Sequence, residues 1–163
     1  MQTLQLENAI FLPQVCQLIN EGHTVSIRAK GNSMRPFVES DRDVAVLAKC
    51  SECKVGDVVL AEITPGHYVL HRIDRIEGKA VTLRGDGNVC GTEHCTIDDI
   101  RALACQFIRK GKVWNLQTSR FWKIYSKVWV AMLPMRRYLL ALYRLLWRHE
   151  LPQRLSRLLG TKK

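Results

Sequence analysis

The chain has 163 residues, 47% hydrophobic and 25% charged, which suffices for one packed domain with an appendage and excludes wholesale disorder. Its formal net charge of +10 is lopsided: of 25 Lys/Arg and 15 Asp/Glu, residues 120–163 hold 11 basic residues and one acid, Glu150, leaving 14 of each sign to cancel in residues 1–119. Neither a secretory leader nor an apolar run of the ~18 residues a spanning helix needs is read, so the expected location is the cytoplasm.

In chain order, Leu4 to Glu21 predicts a helix, with Leu4, Leu6, Ile10, Phe11, Val15, Leu18 and Ile19 at helical spacing, Pro13 as a kink and Gly22 as the stop. Thr24–Arg28 alternates and predicts a strand that runs into Gly31-Asn32-Ser33-Met34-Arg35-Pro36. Further strands are expected at Asp43–Leu47, at Val58–Ile63 after the Gly56-Asp57 turn, and at His67–Ile76, paired with the previous one through Pro65-Gly66. Ala80–Arg84 follows Glu77-Gly78, and Ile100–Arg109 ends before Lys110-Gly111. Short strands with regular turn signals predict a mainly β core behind an N-terminal helix. From Phe121 the period changes to 3.6, with Phe121, Ile124, Tyr125, Val128, Trp129 and Met132 apolar and Arg120, Lys123 and Lys127 between them. Pro134 and Pro152 divide the rest, predicting helices from Met135 to His149 and from Gln153 to Leu159. The expected organisation is a domain over residues 1–115 and a basic amphipathic helical tail over 116–163.

The glycine-led turn around Ser33 can hold a hydroxyl rigidly and leave neighbouring N–H groups facing a developing oxyanion; its plainer reading is a surface turn. A serine that attacks a carbonyl needs a base and something to orient that base. Of the five histidines, His71 lies mid-strand in an apolar run, out of pattern for a solvated side chain, although a strand histidine also serves in packing. Asp86, between Gly85 and Gly87, reads as a turn residue or as the acceptor for the His71 ring N–H.

The order of four boxes, Gly31-Asn32-Ser33-Met34-Arg35-Pro36, Gly56-Asp57-Val58-Val59, His71-Arg72-Ile73 and Gly85-Asp86-Gly87-Asn88, resembles the signal peptidase I family, whose catalytic fold is shared with self-cleaving SOS repressors. Because His71 stands at the base position where bacterial signal peptidases and the repressors have lysine, the likeness is to the Ser–His branch found in the endoplasmic reticulum and some bacteria. The resemblance spans about residues 26–109. It implies a serine endopeptidase that processes leader or signal-like peptides without metal or organic cofactor. In it, Ser33 is the nucleophile and His71 the general base. Asp86 orients His71 or supports the site, backbone N–H groups of Gly31, Asn32 and Ser33 form the oxyanion hole, and Met34 shapes the pocket for small side chains. Phe37 departs from the small polar residue usual after that serine box.

Cys50-x-x-Cys53 and Cys90-x4-Cys95, with His94 adjacent, have spacings that could hold zinc; the preferred reading is reduced, buried thiols, as for Cys16 and Cys105, with no metal. For residues 119–160 the expected partner is an anionic membrane surface on the inner face of the plasma membrane, with Trp122, Trp129 and Trp147 near the headgroups, and not nucleic acid. The rival function is a non-catalytic regulatory or binding module on the same fold, repressor-like or zinc-stabilised.

Overall fold

The computed structural model describes residues 8–158, with side chains from 11 to 145. The expected helix start at Leu4 and Leu6, the end of the Gln153–Leu159 segment and the Trp147 side chain lie outside the described residues. Helix α1 (Asn8–Asn20) runs through Pro13 and is followed by β1 (Val25–Arg28), β2 (Val44–Ala48), β3 (Val58–Thr64), β4 (His67–Glu77) and β5 (Ala80–Arg84). Then come β6 (Glu93–Thr96), β7 (Ile100–Arg109), β8 (Lys112–Asn115), α2 (Arg120–Ala131) and α3 (Leu133–Leu158). The fold is mainly β, with helices at both ends of the described chain.

The strands form one antiparallel sheet in the order β1-β2-β7-β3-β4-β5-β6, with β8 on β7. β7 is the spine. Residues 103–108 pair with β2, while its other edge pairs first with β3 and then, from Gln106 onward, with β8. Because side chains alternate across a strand, β3 and β4 feed two separate cores. Val58, Leu60 and Leu70 face a large core shared with α1 and Phe107, whereas Val59, Ala61 and Ile73 face a smaller one with Val81 and Leu83. Adjacent residues on β4 therefore belong to opposite sides of the molecule.

The basic tail packs on the large core. Asn115 Oδ1 accepts from the N–H groups of Gln117 and Thr118, turning the chain out of β8, and Ser119 Oγ accepts from the Trp122 N–H, capping α2. Trp122 and Trp129 are buried, which corrects their expected place at lipid headgroups. Phe37 is the reason: its ring lies 6.1, 4.0 and 5.3 Å from the rings of Trp122, Tyr125 and Trp129, and Trp122 also meets Phe107 at 5.6 Å. The large aromatic at position 37, read from sequence only as a departure, is the platform for α2. The tail has two helices where the prolines predict three. Pro134 sits in the first turn of α3, where its missing N–H costs nothing, and α3 continues past Pro152. Arg136 on α3 is buried under the α2 carboxyl end, donating to the Trp129 carbonyl at 2.6 Å with its guanidinium 5.0 Å from the Trp129 ring, and that burial lowers its pKa.

Candidate active site

The loop from β1 to β2 carries Ser33. It leaves β1 through Gly31, whose φ of +88° only glycine adopts without strain, and it is closed by bonds from the Arg35 N–H to the Asn32 carbonyl and from the Val38 N–H to the Met34 carbonyl. Its base is clamped where the Ala29 N–H donates to the Asp43 carbonyl and the Asp41 N–H to the Ala29 carbonyl. Ser33 itself is half-buried. Two expectations for this loop change. The Gly31 N–H donates to Ser40 Oγ at 3.1 Å, so it is occupied and does not serve an oxyanion. Among the described residues the N–H groups of Asn32 and Ser33 have no partner. Met34, 5% exposed, lies in the large core with Val38, so its side chain is committed to packing beneath the loop and not displayed as a pocket wall.

The turn after β5 receives this loop. The Gly87 N–H donates to the Ser33 carbonyl at 2.7 Å. A Cβ at Gly85 would lie 2.5 Å from the Ser33 carbonyl oxygen and 2.9 Å from Ser33 Cβ, and one at Gly87 would lie 2.9 Å from the Asn32 carbonyl oxygen. The glycines on either side of Asp86 are thus where two backbones touch. A Gly85→Ala chain should therefore be less stable by about 1–3 kcal/mol, a fall in melting temperature of roughly 3–10 °C, since both atoms met are fixed to backbone. Gly91→Ala, whose Cβ would have its nearest neighbour at 3.9 Å, is the control and should melt with the wild type. Equal melting of both variants would refute the close approach.

His71 and Arg72 then separate two functions. Val59 pairs with His71, and the ring is buried on the small-core face, where Nδ1 lies 2.8 Å from Glu93 Oε2 on β6. A carboxylate without its proton can only accept, so this contact favours, for a neutral ring, the tautomer with the proton on Nδ1 and the lone pair on Nε2. Arg72 points the other way. Its Nε and Nη2 donate to the two oxygens of Asp86 at 2.8 and 2.7 Å, and Nη1 donates to the Gly56 carbonyl and to Ser126 Oγ of α2, each at 2.7 Å. The guanidinium also lies over the rings of Trp122 and Tyr125 at 5.5 and 5.6 Å. Burial opposes this charge but Asp86 outweighs it, holding the Arg72 pKa above its ordinary value, while burial pushes the Tyr125 hydroxyl well above its own. Asp86 therefore does not orient His71: it holds Arg72, which in turn reaches Ser126 of α2, and Glu93 stands at the imidazole.

A β-bulge causes the exchange. Glu77 pairs with Ala80, Ile76 with Val81 and Arg75 with Thr82, a register that continued unbroken would set His71 opposite Asp86. One extra residue on β4, Asp74, intervenes, so Ile73 pairs with Leu83 and Arg72 with Arg84. A one-residue slip exchanges faces, and it puts Gly85, which touches Ser33, in line with His71, and Asp86 on the side of Arg72. The bulge is itself pinned, since Arg84 Nε donates to Asp74 Oδ2 at 3.2 Å. The structure thus brings Glu93 to His71 and sets Gly85, which touches Ser33, in line with His71; among the described residues no hydrogen bond joins Ser33 to His71. Chemically the set offers a hydroxyl, an imidazole whose Nδ1 meets a carboxylate, and, on the serine loop, two N–H groups with no partner among the described residues.

The cysteines take no part in this cluster. Cys50 and Cys53 form a disulfide in the turn before β3, contrary to the expectation of reduced thiols there, because the turn brings the two side chains together. Cys16, Cys95 and Cys105 are free thiols whose pKa values burial raises, and Cys90 is free and exposed. No group of three or more His, Cys, Asp or Glu that could share a metal ion occurs among the described residues.

A search of curated proteins finds no match to the chain. The model of the Peptidase S24-like family matches residues 1–112, about two thirds of the chain, and that span contains the serine loop, the bulged hairpin of β4 and β5, Glu93 and the whole of β7. The chain belongs to the Peptidase S24-like family.

Proposed function

We propose that the protein is a serine endopeptidase in which Ser33 is the nucleophile, His71 the general base and Glu93 the residue that holds the His71 ring. The observation that carries this reading is the 2.8 Å contact between Glu93 and Nδ1 of a histidine buried on the sheet face that meets the serine loop at Gly85. In the proposed reaction, Nε2 of His71 takes the Ser33 proton as Oγ attacks the peptide carbonyl. The N–H groups of Asn32 and Ser33 stabilise the oxyanion, His71 returns the proton to the departing amine, and water, deprotonated by the same nitrogen, releases the acyl group. The resemblance of the four boxes to signal peptidases supports leader or signal-like peptides as the substrate class, and the Ser–His pair supports that branch of the superfamily over the lysine-dependent ones.

The test is covalent labelling of the full chain with a fluorophosphonate probe. Wild type should label on Ser33, and both Ser33→Ala and His71→Ala should lose the label while keeping the wild-type circular dichroism spectrum. A folded wild type that stays inert, both free and with anionic vesicles present, would overturn the catalytic reading and favour a binding module on the same fold.

A further inference from the structure

The two tail helices each show three stripes. On α2, Trp122, Ser126 and Trp129 are buried, Phe121, Ile124 and Val128 are large apolar side chains left exposed, and Arg120, Lys123 and Lys127 are exposed and basic. At about 100° per residue these sets fall roughly a third of a turn apart. α3 repeats the division: Arg136 and Leu140 face inward with Tyr143, which donates to Glu39, while Met135, Tyr138, Leu142 and Leu145 are exposed on the far side, flanked by Arg137 and Arg144. The tryptophans inside account for the inner stripe only. The outer apolar stripe on each helix is additional, and that of α2 extends onto β8, where the exposed Trp114 ring lies 6.0 Å from that of Phe121.

We infer that this outer face of α2 and α3 docks in the headgroup layer of an anionic lipid bilayer, apolar stripe inward and basic flank on the phosphates. Charge selects the occupant. A second copy of the chain would bring together two surfaces that carry basic residues and, over residues 120–145, no acid, so like charges would meet across the contact. A nucleic acid would use the basic flank and leave Phe121, Ile124, Val128 and Leu142 in water. A lipid surface satisfies both stripes together. No helix among the described residues is long and apolar enough to cross a membrane, so the contact is peripheral. The inner face of α2 rests on Phe37 in the serine loop, and a helix with its side chains is ~10 Å thick, so docking would hold that loop within about that distance of the lipid. The inference does not depend on the chemistry proposed for Ser33.

Co-sedimentation of the full chain with vesicles tests it, comparing phosphatidylcholine alone with phosphatidylcholine containing ~30% phosphatidylglycerol. Wild type should sediment with the anionic vesicles only and be released by high salt. The double substitution Lys123→Gln/Lys127→Gln should weaken binding about tenfold or more, at ~1 kcal/mol per cation. Ile124→Glu/Leu142→Glu should abolish it, while both variants keep the wild-type melting temperature because every substituted side chain is exposed. Equal binding to neutral vesicles, no binding to either, or variants that bind as wild type would overturn the inference. So would a concentration-dependent dimer that Ile124→Glu/Leu142→Glu dissociates.

Discussion

An Arg72→Met chain should lose about 3–5 kcal/mol of unfolding free energy in urea titration, the range found when one partner of a buried ion pair is removed. Arg72 is 2% exposed and Asp86 fully buried, so the carboxylate left behind can neither reach water nor find another partner of the same geometry. The loss is compounded because the guanidinium also holds the Gly56 carbonyl before β3 and Ser126 of α2, and lies over Trp122 and Tyr125. Arg72→Lys should be nearly as damaging, since an ammonium cannot bind both Asp86 oxygens and stack on two rings. The companion measurement is the double variant Arg72→Met/Asp86→Leu. Removing both charges leaves no uncompensated ion, so a substantial part of the lost stability should return. If Arg72→Met stays within about 1 kcal/mol of wild type, or the double variant is no better than the single one, the pair does not hold the tail to the sheet in the way its geometry states.

The strands that alternate apolar and polar residues between glycine or proline turns were legible in the sequence: Ala80–Arg84 agrees with the structure residue for residue, and the strand expected within Ile100–Arg109 fills that whole stretch. β6 and β8 were not. Glu93-His94-Cys95-Thr96 has no apolar alternation and is a strand because β5 supplies its partners from Ala80 to Leu83; Lys112–Asn115 exists because it follows a two-residue turn back along β7. Missing β6 meant missing Glu93, since a carboxylate in an unassigned loop gives no sign that it faces the histidine two strands away. Asp86 reads as an acceptor for His71 from its place between two glycines and from the box it belongs to; an unbroken β4–β5 register would set it opposite His71, and nothing in the sequence announces the extra residue at Asp74. One local signal was available. His71 and Arg72 are neighbours on a strand and must face opposite ways, so a single turn carboxylate was bound to serve one and not both, and a buried arginine has the stronger need of it. The tail was half legible. Its helical period and basic excess could be read directly, but a stripe pattern cannot say which apolar stripe is buried, and that was decided by Phe37 and Phe107.

Replacing Glu93 by Gln should slow probe labelling of Ser33 by about 10³–10⁴-fold at saturating probe, with the half-saturating concentration little changed, by analogy with loss of the orienting acid in a serine triad. The carboxylate does two things that an amide does not. It accepts from Nδ1 and never donates to it, so Nε2 is left as the base; an amide can present its N–H instead and stabilise the opposite tautomer. It also faces the imidazolium that forms when Ser33 gives up its proton, with a full negative charge 2.8 Å away. Glu93 touches neither the serine nor the probe, so its effect belongs in the maximal rate and not in binding. Glu93→Asp keeps the charge and shortens the reach, and should recover part of the rate. Its side chain is 28% exposed, so Glu93→Gln should leave the melting temperature close to wild type, separating a positioning role from a structural one. If Glu93→Gln labels as fast as wild type while His71→Ala is inert, His71 takes its orientation from something else and the assignment of Glu93 fails. If Glu93→Gln and Glu93→Asp are equally slow, the site needs that one length of side chain as well as its charge, which the fixed distance between β4 and β6 would explain.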